Sequence, residues 1–485
     1  MSVGRGPSLF STLTPVSGLG TGAGERQRPG RTRRPSRARA VGVAVLAVVL
    51  LGSGCGNSWS KTTAAGANGT GGATASGGSD SGTSSSSGVN VKVDAPGVTS
   101  TEIRVGGVAS VTNPLGGHYE DSFTGVQAYF DMVNAHGGLY GRKLVLGAKR
   151  DDKLGSNKSE IEGLLTEDNV FAVLPVASLL FTGADTLVAR NVPTFGWTIN
   201  PEWEGSAKDP RANLFGQSGS YLCFKCDATT LPWLAQQIGA HHVAVLAYSV
   251  AQSSDCADGV RASFAKYGKR VHADIAYADQ SLAFGVADLS VQVSKMKNAK
   301  VDLVTTCMDN NGVVTLAKEM KKQKLKAPQS LPNAYDHQFL DEFGDLFEGS
   351  YVRTDFVQFE VKDKPKGLQT FLDAMRKAGK QPSENSLVGW LNADLFVTGL
   401  RAAGPHFDRQ KLIDAVNHLT HYRAGGIVHG VDWRIAHTQR DSTTENCQFL
   451  SRIHNSKFDP VFSKPGRPFV CTVAQPSSMG ARYDP

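Results

Sequence analysis

From residue 102 onward, short runs of β-branched residues alternate with longer amphipathic segments, and that alternation leaves few folds open. Glu102–Val108 reads as a strand, Asp121–Asn134 as a helix and Lys143–Leu146 as the next strand. A helix over Lys158–Glu167, the strand Val170–Leu174, a helix over Ala184–Arg190 and the strand Pro193–Phe195 follow. Such repetition makes consecutive strands parallel, because a helix rather than a tight turn returns the chain to the same end of the sheet. A second series begins after Ser218, with a helix over Ala228–Gly239, the strand Val243–Ala247 and a helix over Gly259–Tyr267. It continues through the strand Val271–Tyr277, a helix over Val286–Lys297, the strand Val301–Thr305 and a helix over Val313–Lys322. The expected class is α/β, with two doubly wound parallel-sheet lobes, and a chain of 485 residues exceeds what one core commonly serves.

Later segments are too few for a third domain: helices over Gly367–Ala378, Leu387–Ala403 and Lys411–Leu419, then strands around Gly426–Trp433 and Gln448–Ile453. The economical arrangement returns the chain to the first lobe and then crosses it back, so that several crossovers join the two. Residues 98–218 with 353–420 are expected to form the first lobe, and 219–352 with 421–485 the second.

The N-terminal segment carries a different signal. Residues 1–54 hold eight arginines (Arg5, Arg26, Arg28, Arg31, Arg33, Arg34, Arg37 and Arg39) against Glu25, a surplus equal to the whole formal charge of +7. The remainder is balanced, so the basic character gives no reason to expect a nucleic-acid partner. Arginines, a short apolar run from Ala40 to Leu51 and small residues up to Cys55 have the order of an export signal. The apolar run is about half of the roughly 20 residues a membrane-crossing helix needs. Leu51-Gly52-Ser53-Gly54-Cys55 resembles a lipoprotein processing site, with Gly52 extending the usual spacing between leucine and cysteine; Cys55 is the expected lipidation site. Between Cys55 and residue 97 the chain is dominated by Gly, Ser, Thr and Ala, a composition that cannot bury enough surface to offset chain entropy. It reads as a flexible tether with a reach of about 30 Å. These features imply an exported protein held at the outer face of the cell membrane by an acyl chain.

Six cysteines remain, Cys223, Cys226, Cys256, Cys307, Cys447 and Cys471, and an even count in an exported chain favours disulfides. Six cysteines allow 15 pairings. Cys447 with Cys471 would flank the last hairpin, and Cys256 with Cys307 would join the ends of two elements of one lobe. Cys223-Phe224-Lys225-Cys226 has the spacing of a redox pair or half a zinc site. No second such pair accompanies it, which favours a small loop bridge and no metal. His241, His242, His418, His421 and His429 lack metal-ligand spacing, and no cofactor motif is present.

With these elements placed, the sequence resembles the extracellular solute-binding proteins of ABC transporters, of the branched-chain amino-acid binding type with the periplasmic-binding-protein type 1 fold. Ile103-Arg104-Val105-Gly106-Gly107-Val108, Phe123-Thr124-Gly125-Val126 and Val133-Asn134-Ala135-His136-Gly137-Gly138-Leu139-Tyr140-Gly141-Arg142-Lys143-Leu144, followed by Asp151-Asp152, carry the resemblance. Its physical content in the last run is structural: Gly137, Gly138 and Gly141 end a helix and turn into a strand. The resemblance covers about residue 97 to the C terminus, and the six cysteines and the tail from Glu445 depart from it.

Ligands of doubly wound sheets lie beyond the carboxyl ends of the strands, and two such lobes make the cleft between them the natural pocket. Ser178 follows a strand; its hydroxyl can hold a ligand carboxylate, as the resemblance implies, or cap a helix. Thr198 can add a second hydroxyl. Asp336 stands where the resemblance implies a partner for a ligand ammonium, and it can equally cap the helix that follows; Asp309 has the same two readings. Trp197, Tyr248 and Tyr335 are candidates for the pocket wall or the core. His118 and Tyr119 lie in the loop after the first strand, at the cleft border.

Three functions from different classes fit such a chain. The first is a transport receptor, a monomer that closes around an amino acid or related solute and presents it to a membrane permease. The second is a sensor or structural lipoprotein of the same fold. The third, an exported α/β hydrolase, is opposed by Val176-Ala177-Ser178-Leu179-Leu180, which lacks the glycines of a nucleophile elbow. The chain is not expected to be an enzyme.

Overall fold

The structure, a computed structural model, describes residues 90–206, 208–220, 222–332, 334–437 and 446–483. The export signal, Cys55 and the tether as far as residue 89 lie outside the described residues.

The first series contributes β1 (Glu102–Ala109), α1 (Asp121–Ala135), β2 (Lys143–Asp151), α2 (Asn157–Thr166), β3 (Ala172–Ala177), α3 (Ala184–Ala189), β4 (Thr194–Gly196) and β5 (Leu214–Gly216). The second contributes α4 (Thr230–Ile238), β6 (His242–Tyr248), α5 (Ala251–Val271), β7 (Asp274–Leu282), α6 (Ser290–Asn298), β8 (Leu303–Cys307) and α7 (Asn310–Gln323). It ends with β9 (Gln329–Leu331), α8 (His337–Phe343) and β10 (Tyr351–Thr354). Then come α9 (Lys366–Lys377), α10 (Glu384–Ala403), α11 (Arg409–Asn417), α12 (Trp433–Ala436), β11 (Cys447–His454), β12 (Lys457–Val461), β13 (Val470–Ala474) and β14 (Met479–Arg482).

Two sheets result. Among the described residues the first has the order β2-β1-β3-β4-β5, parallel throughout. In the second, β7-β6-β8-β9-β10 are parallel, and β11, β13 and β14 extend the edge antiparallel, with β12 paired to β11. In each sheet the strand order reverses direction around an early strand, β1 in the first and β6 in the second. Such a switch point opens a crevice at the carboxyl ends.

Helix α10 covers the first sheet, where Phe396 meets Phe130, Phe171 and Phe195 at ring separations of 6.2, 6.4 and 5.5 Å. Trp433 packs edge-on against Phe215 of β5 at 5.1 Å, so residues just before the described gap still lie on the first sheet. The chain then supplies β11 to β14 to the second. Buried apolar residues run continuously from the first sheet through Phe356, Val357, Ile427 and Val428 to the second, so the crossing segments are part of the core.

The strand expected around Gly426–Trp433 is not formed. Only isolated bridges, Phe356 with Val428 and Tyr422 with Val431, occur there, and residue 433 starts a helix. Gly425, Gly426 and Gly430 all have positive φ, at 65, 92 and 138°, which interrupts extended pairing. The helix expected at Gly259–Tyr267 runs the full length of α5, starting directly after β6.

All six described cysteines are paired: Cys223 with Cys226, Cys256 with Cys307 and Cys447 with Cys471. The last pair faces across the β11–β13 ladder. His429 lies beside it, 3.4 Å from the Cys471 sulfur, but the two sulfurs are bonded to each other and offer no thiolates to a metal.

Candidate functional site

A cavity of about 800 Å³ lies between the carboxyl ends of the two sheets. From the first sheet come the loop after β1, Leu179 after β3, and Trp197 and Ile199 after β4; from the second come Tyr248 at the end of β6, Cys307–Asn310 at the end of β8, and Thr354 and Asp355 at the end of β10. Its size and largely apolar wall suit a small organic molecule.

Seven of the nine sequence candidates, His118, Tyr119, Trp197, Tyr248, Asp309, Tyr335 and Asp336, line this cavity. Tyr119 is held between elements of both sheets; burial, then the charges of Asp309, Glu384 and Asp336, push its phenol well up. His118 is exposed at the rim, 3.9 Å from Glu120, and its carbonyl accepts from Asn385 Nδ2 at 3.1 Å. Tyr248 is 1% exposed, touches Phe284 edge-on at 5.0 Å, and turns its hydroxyl to the Asp309 carboxylate. Burial and then Asp309 push that phenol up.

The two aspartates do act as helix caps. Asp309 Oδ1 accepts from Gly312 N at 2.9 Å at the start of α7, and Asp336 Oδ1 accepts from Phe339 N at 3.2 Å at the start of α8. A cap uses one carboxylate oxygen, so wall and cap are compatible roles: the Asp309 carboxylate also meets the Tyr248 hydroxyl in the cavity wall. Tyr335 is committed elsewhere. Its hydroxyl donates to Glu360 Oε2 at 2.8 Å and accepts from Phe359 N at 2.5 Å, while His337 Nε2 meets Glu360 Oε1 at 2.6 Å. That bond to Glu360 raises the His337 imidazole above its usual range.

Ser178 and Thr198 do not line the cavity. Ser178 is 2% exposed; its hydroxyl accepts from Asn157 Nδ2 at 3.1 Å and its carbonyl accepts from Asn200 Nδ2 at 3.0 Å. No helix starts at Ser178, because α3 begins six residues later, so the turn needed to present the hydroxyl with free backbone N–H groups is missing. Thr198 is fully buried, with its methyl against Gly216.

Several wall residues are beyond the sequence reading. Glu384, the first residue of α10, accepts no hydrogen bond among the described residues; burial, then Asp355 and Asp336, push its carboxyl well up. Asp355 accepts from Ser218 Oγ and is likewise raised by burial. Asp121 Oδ2 accepts from Ser383 Oγ at 2.7 Å, and burial raises it. The signal for Glu384 is in the sequence: Pro382-Ser383 before Glu384 and Ser386 is a helix start, and the Ser383–Ser386 capping box forms. The Cys223–Cys226 loop also lines the cavity, seated so closely on α5 that a β-carbon at Gly259 would strike the Phe224 carbonyl.

The model of the periplasmic binding protein family matches residues 102–457. The chain belongs to that family. Among curated proteins none is similar enough in sequence to match. Among solved structures, a branched-chain amino-acid ABC transporter protein from Thermus thermophilus with bound valine is 17% identical, with a TM-score of 0.61 over 74% of this chain and 95% of that one. A fatty-acid ABC transporter substrate-binding protein from Thermomonospora curvata is 18% identical, with a TM-score of 0.62 over 76% and 93%. A leucine-binding protein from Thermotoga maritima is 13% identical, with a TM-score of 0.61 over 74% and 97%. At these identities the likeness establishes the periplasmic-binding-protein type 1 fold and leaves the solute to be argued from the cavity. Among the described residues no helix is long and apolar enough to cross a membrane.

Proposed function

We propose that this chain is the exported, lipid-anchored solute-binding component of an ABC importer, which closes on a small polar solute between its two sheets and delivers it to the permease. The observation that carries this is the cavity, whose wall is drawn from both sheets, so that bound solute bridges them and favours a closed state. Gln252 Nε2 at the start of α5 donates to the Leu179 carbonyl at 3.2 Å, a bond across the same mouth. Family membership and the cavity support binding rather than turnover, and the export signal with Cys55 supports anchoring at the outer face of the membrane.

A thermal-shift survey of the purified protein with amino acids, amides, organic acids and organic cations tests the reading, together with native mass spectrometry for a co-purified molecule. A solute at 100 times its Kd adds about 2.7 kcal/mol of stability. No shift with any class, and no bound mass, would sink the proposal. Anchoring is tested separately: Cys55→Ala should move the protein from the membrane fraction to the medium.

A further inference from the structure

The mouth of the cavity is bridged by the chain itself. Pro114, in the loop after β1, and Leu179, just after β3, each offer a backbone carbonyl to a side chain of the other sheet. Asn311 Nδ2, in the first turn of α7, donates to the Pro114 carbonyl at 2.8 Å, and Gln252 Nε2, in the first turn of α5, donates to the Leu179 carbonyl at 3.2 Å. Strands β1 and β3 are neighbours in the first sheet, and β6 and β8, which lead into α5 and α7, are neighbours in the second. The two bonds therefore stand side by side. Gly116, with a φ of 80°, lets the first loop come this close, because a β-carbon there would lie 2.7 Å from Asn311 Oδ1. A third link, Lys225 Nζ to Glu204 Oε2 at 3.1 Å, joins the Cys223–Cys226 loop to the segment after β4.

Each side of the mouth is braced behind its half of the bridge. In the first, Asn113 Nδ2 donates to the carbonyls of Ser110, Val111 and Gly117 at 3.0, 3.1 and 3.2 Å, and its Oδ1 accepts from Leu115 N at 2.9 Å. These bonds close the loop around Pro114 on itself. Leu179 N donates to Ser110 Oγ at 3.1 Å, which ties the second acceptor to the same loop. On the other side, Ser253 Oγ, next to Gln252, donates to the Cys307 carbonyl at the end of β8, and the Cys256–Cys307 disulfide joins α5 to the same residue. Donors and acceptors held in place beforehand lose little further freedom when the bridge forms, so its bonds keep most of their worth.

We propose that Gln252 and Asn311 form a latch that holds the mouth shut without solute, so that the empty protein is predominantly closed and solute enters only when the latch opens. The inference deepens the solute-binding reading, but the state of the empty protein is measured apart from any solute. A neutral hydrogen bond is worth roughly a factor of two to ten in an opening equilibrium. Two bonds that break in one opening multiply their factors. Solute then meets only the open fraction, which lowers its apparent affinity by that fraction and slows its association.

The test is small-angle X-ray scattering on protein freed of bound molecules by dialysis from urea with its disulfides intact, native mass spectrometry confirming that it is empty. Empty wild type should scatter as the closed structure does. Gln252→Ala and Asn311→Ala should each raise the ratio of open to closed molecules by roughly twofold to tenfold. The double variant should show a larger radius of gyration than wild type. Asn311→Asp, which keeps the shape of the side chain but can only accept, is the further variant should an alanine variant fold poorly, and it should open the mouth as Asn311→Ala does. Empty wild type that scatters as a more extended particle than the structure overturns the latch. A double variant that scatters as wild type does overturns it too, because closure is then held elsewhere. Either failure leaves the solute-binding reading standing, and failure of the solute survey above leaves the latch standing.

Discussion

Gly125 of α1 and Gly389 of α10 lie where the two helices touch backbone to backbone: a β-carbon at Gly125 would run into the Ser386 carbonyl, and one at Gly389 into the Ser122 carbonyl. The contact fixes the first turns of the two helices side by side, which is why Ser383 reaches Asp121 and why Glu384 and Tyr119 share one stretch of cavity wall. Alanine favours a helix by up to about 1 kcal/mol over glycine. Overpacking against backbone costs about 1–3 kcal/mol and cannot be relieved by a side-chain rotation. Gly125→Ala and Gly389→Ala should therefore each lower the melting temperature, and should weaken solute binding by separating Asp121 from Ser383. An unchanged melt in both variants would mean that the helices can part without loss.

The Cys256–Cys307 bridge ties the start of α5 to the end of β8 across a sequence separation of 51, whereas Cys223–Cys226 spans 3. Chain-entropy arithmetic gives about 4 kcal/mol for the long loop and about 2 for the short one. Replacing Cys256 and Cys307 by serine should lower the urea midpoint more than replacing Cys223 and Cys226. Equal losses would indicate that the short bridge acts mainly by holding its loop against Gly259 in the native state.

Much of this architecture is legible in the sequence because its signals are local and long. The run from Glu102 to Ala109 alternates with an amphipathic α1 and a full β2, and each sits within a few residues of its expected place. Short strands escape: β5, β9 and β10 have 3, 3 and 4 residues, below the length at which periodicity separates a strand from a loop. That loss hides Asp355, which follows β10. Ser178 fails for a different reason. Its hydroxyl faces Asn157 of α2, a contact 21 residues away that no pattern around Ser178 announces. Asp309 and Asp336 are legible both as caps and, from their positions beyond strand ends, as cavity candidates, and the structure gives them both roles.

The acidic wall has a pH signature of its own. Burial and neighbouring charge raise the folded-state carboxyl of Glu384 above its ordinary 4.5, so the folded state holds a proton there more tightly than the unfolded state does. Its favourable contribution is complete below pH 4.5 and is lost as pH rises through the folded value. Glu384→Gln removes that dependence. Without solute, the variant should melt higher than wild type at neutral pH by a few degrees, with the gap closing on acidification. A gap that widens as pH falls would contradict the assignment of Glu384 to a like-charged, buried environment.

His437 predicts the opposite slope. Its ring lies 5.4 Å from both Phe215 and Trp433, neither ring nitrogen has a partner among the described residues, and burial pushes the imidazole down from 6.5 to about 4. A base whose folded value is depressed takes up its proton more readily when unfolded. The stability it confers is therefore present above pH 6.5 and drains away as pH falls towards 4. Phenylalanine at this position keeps the aromatic contacts and cannot be protonated. His437→Phe should match wild type at neutral pH and exceed it progressively from pH 6.5 to pH 4, the carboxylate titrations common to both proteins cancelling in the difference. Parallel melting curves across that range would show that the ring is hydrated in solution, and that the contact of Trp433 with Phe215 alone holds this segment on the first sheet.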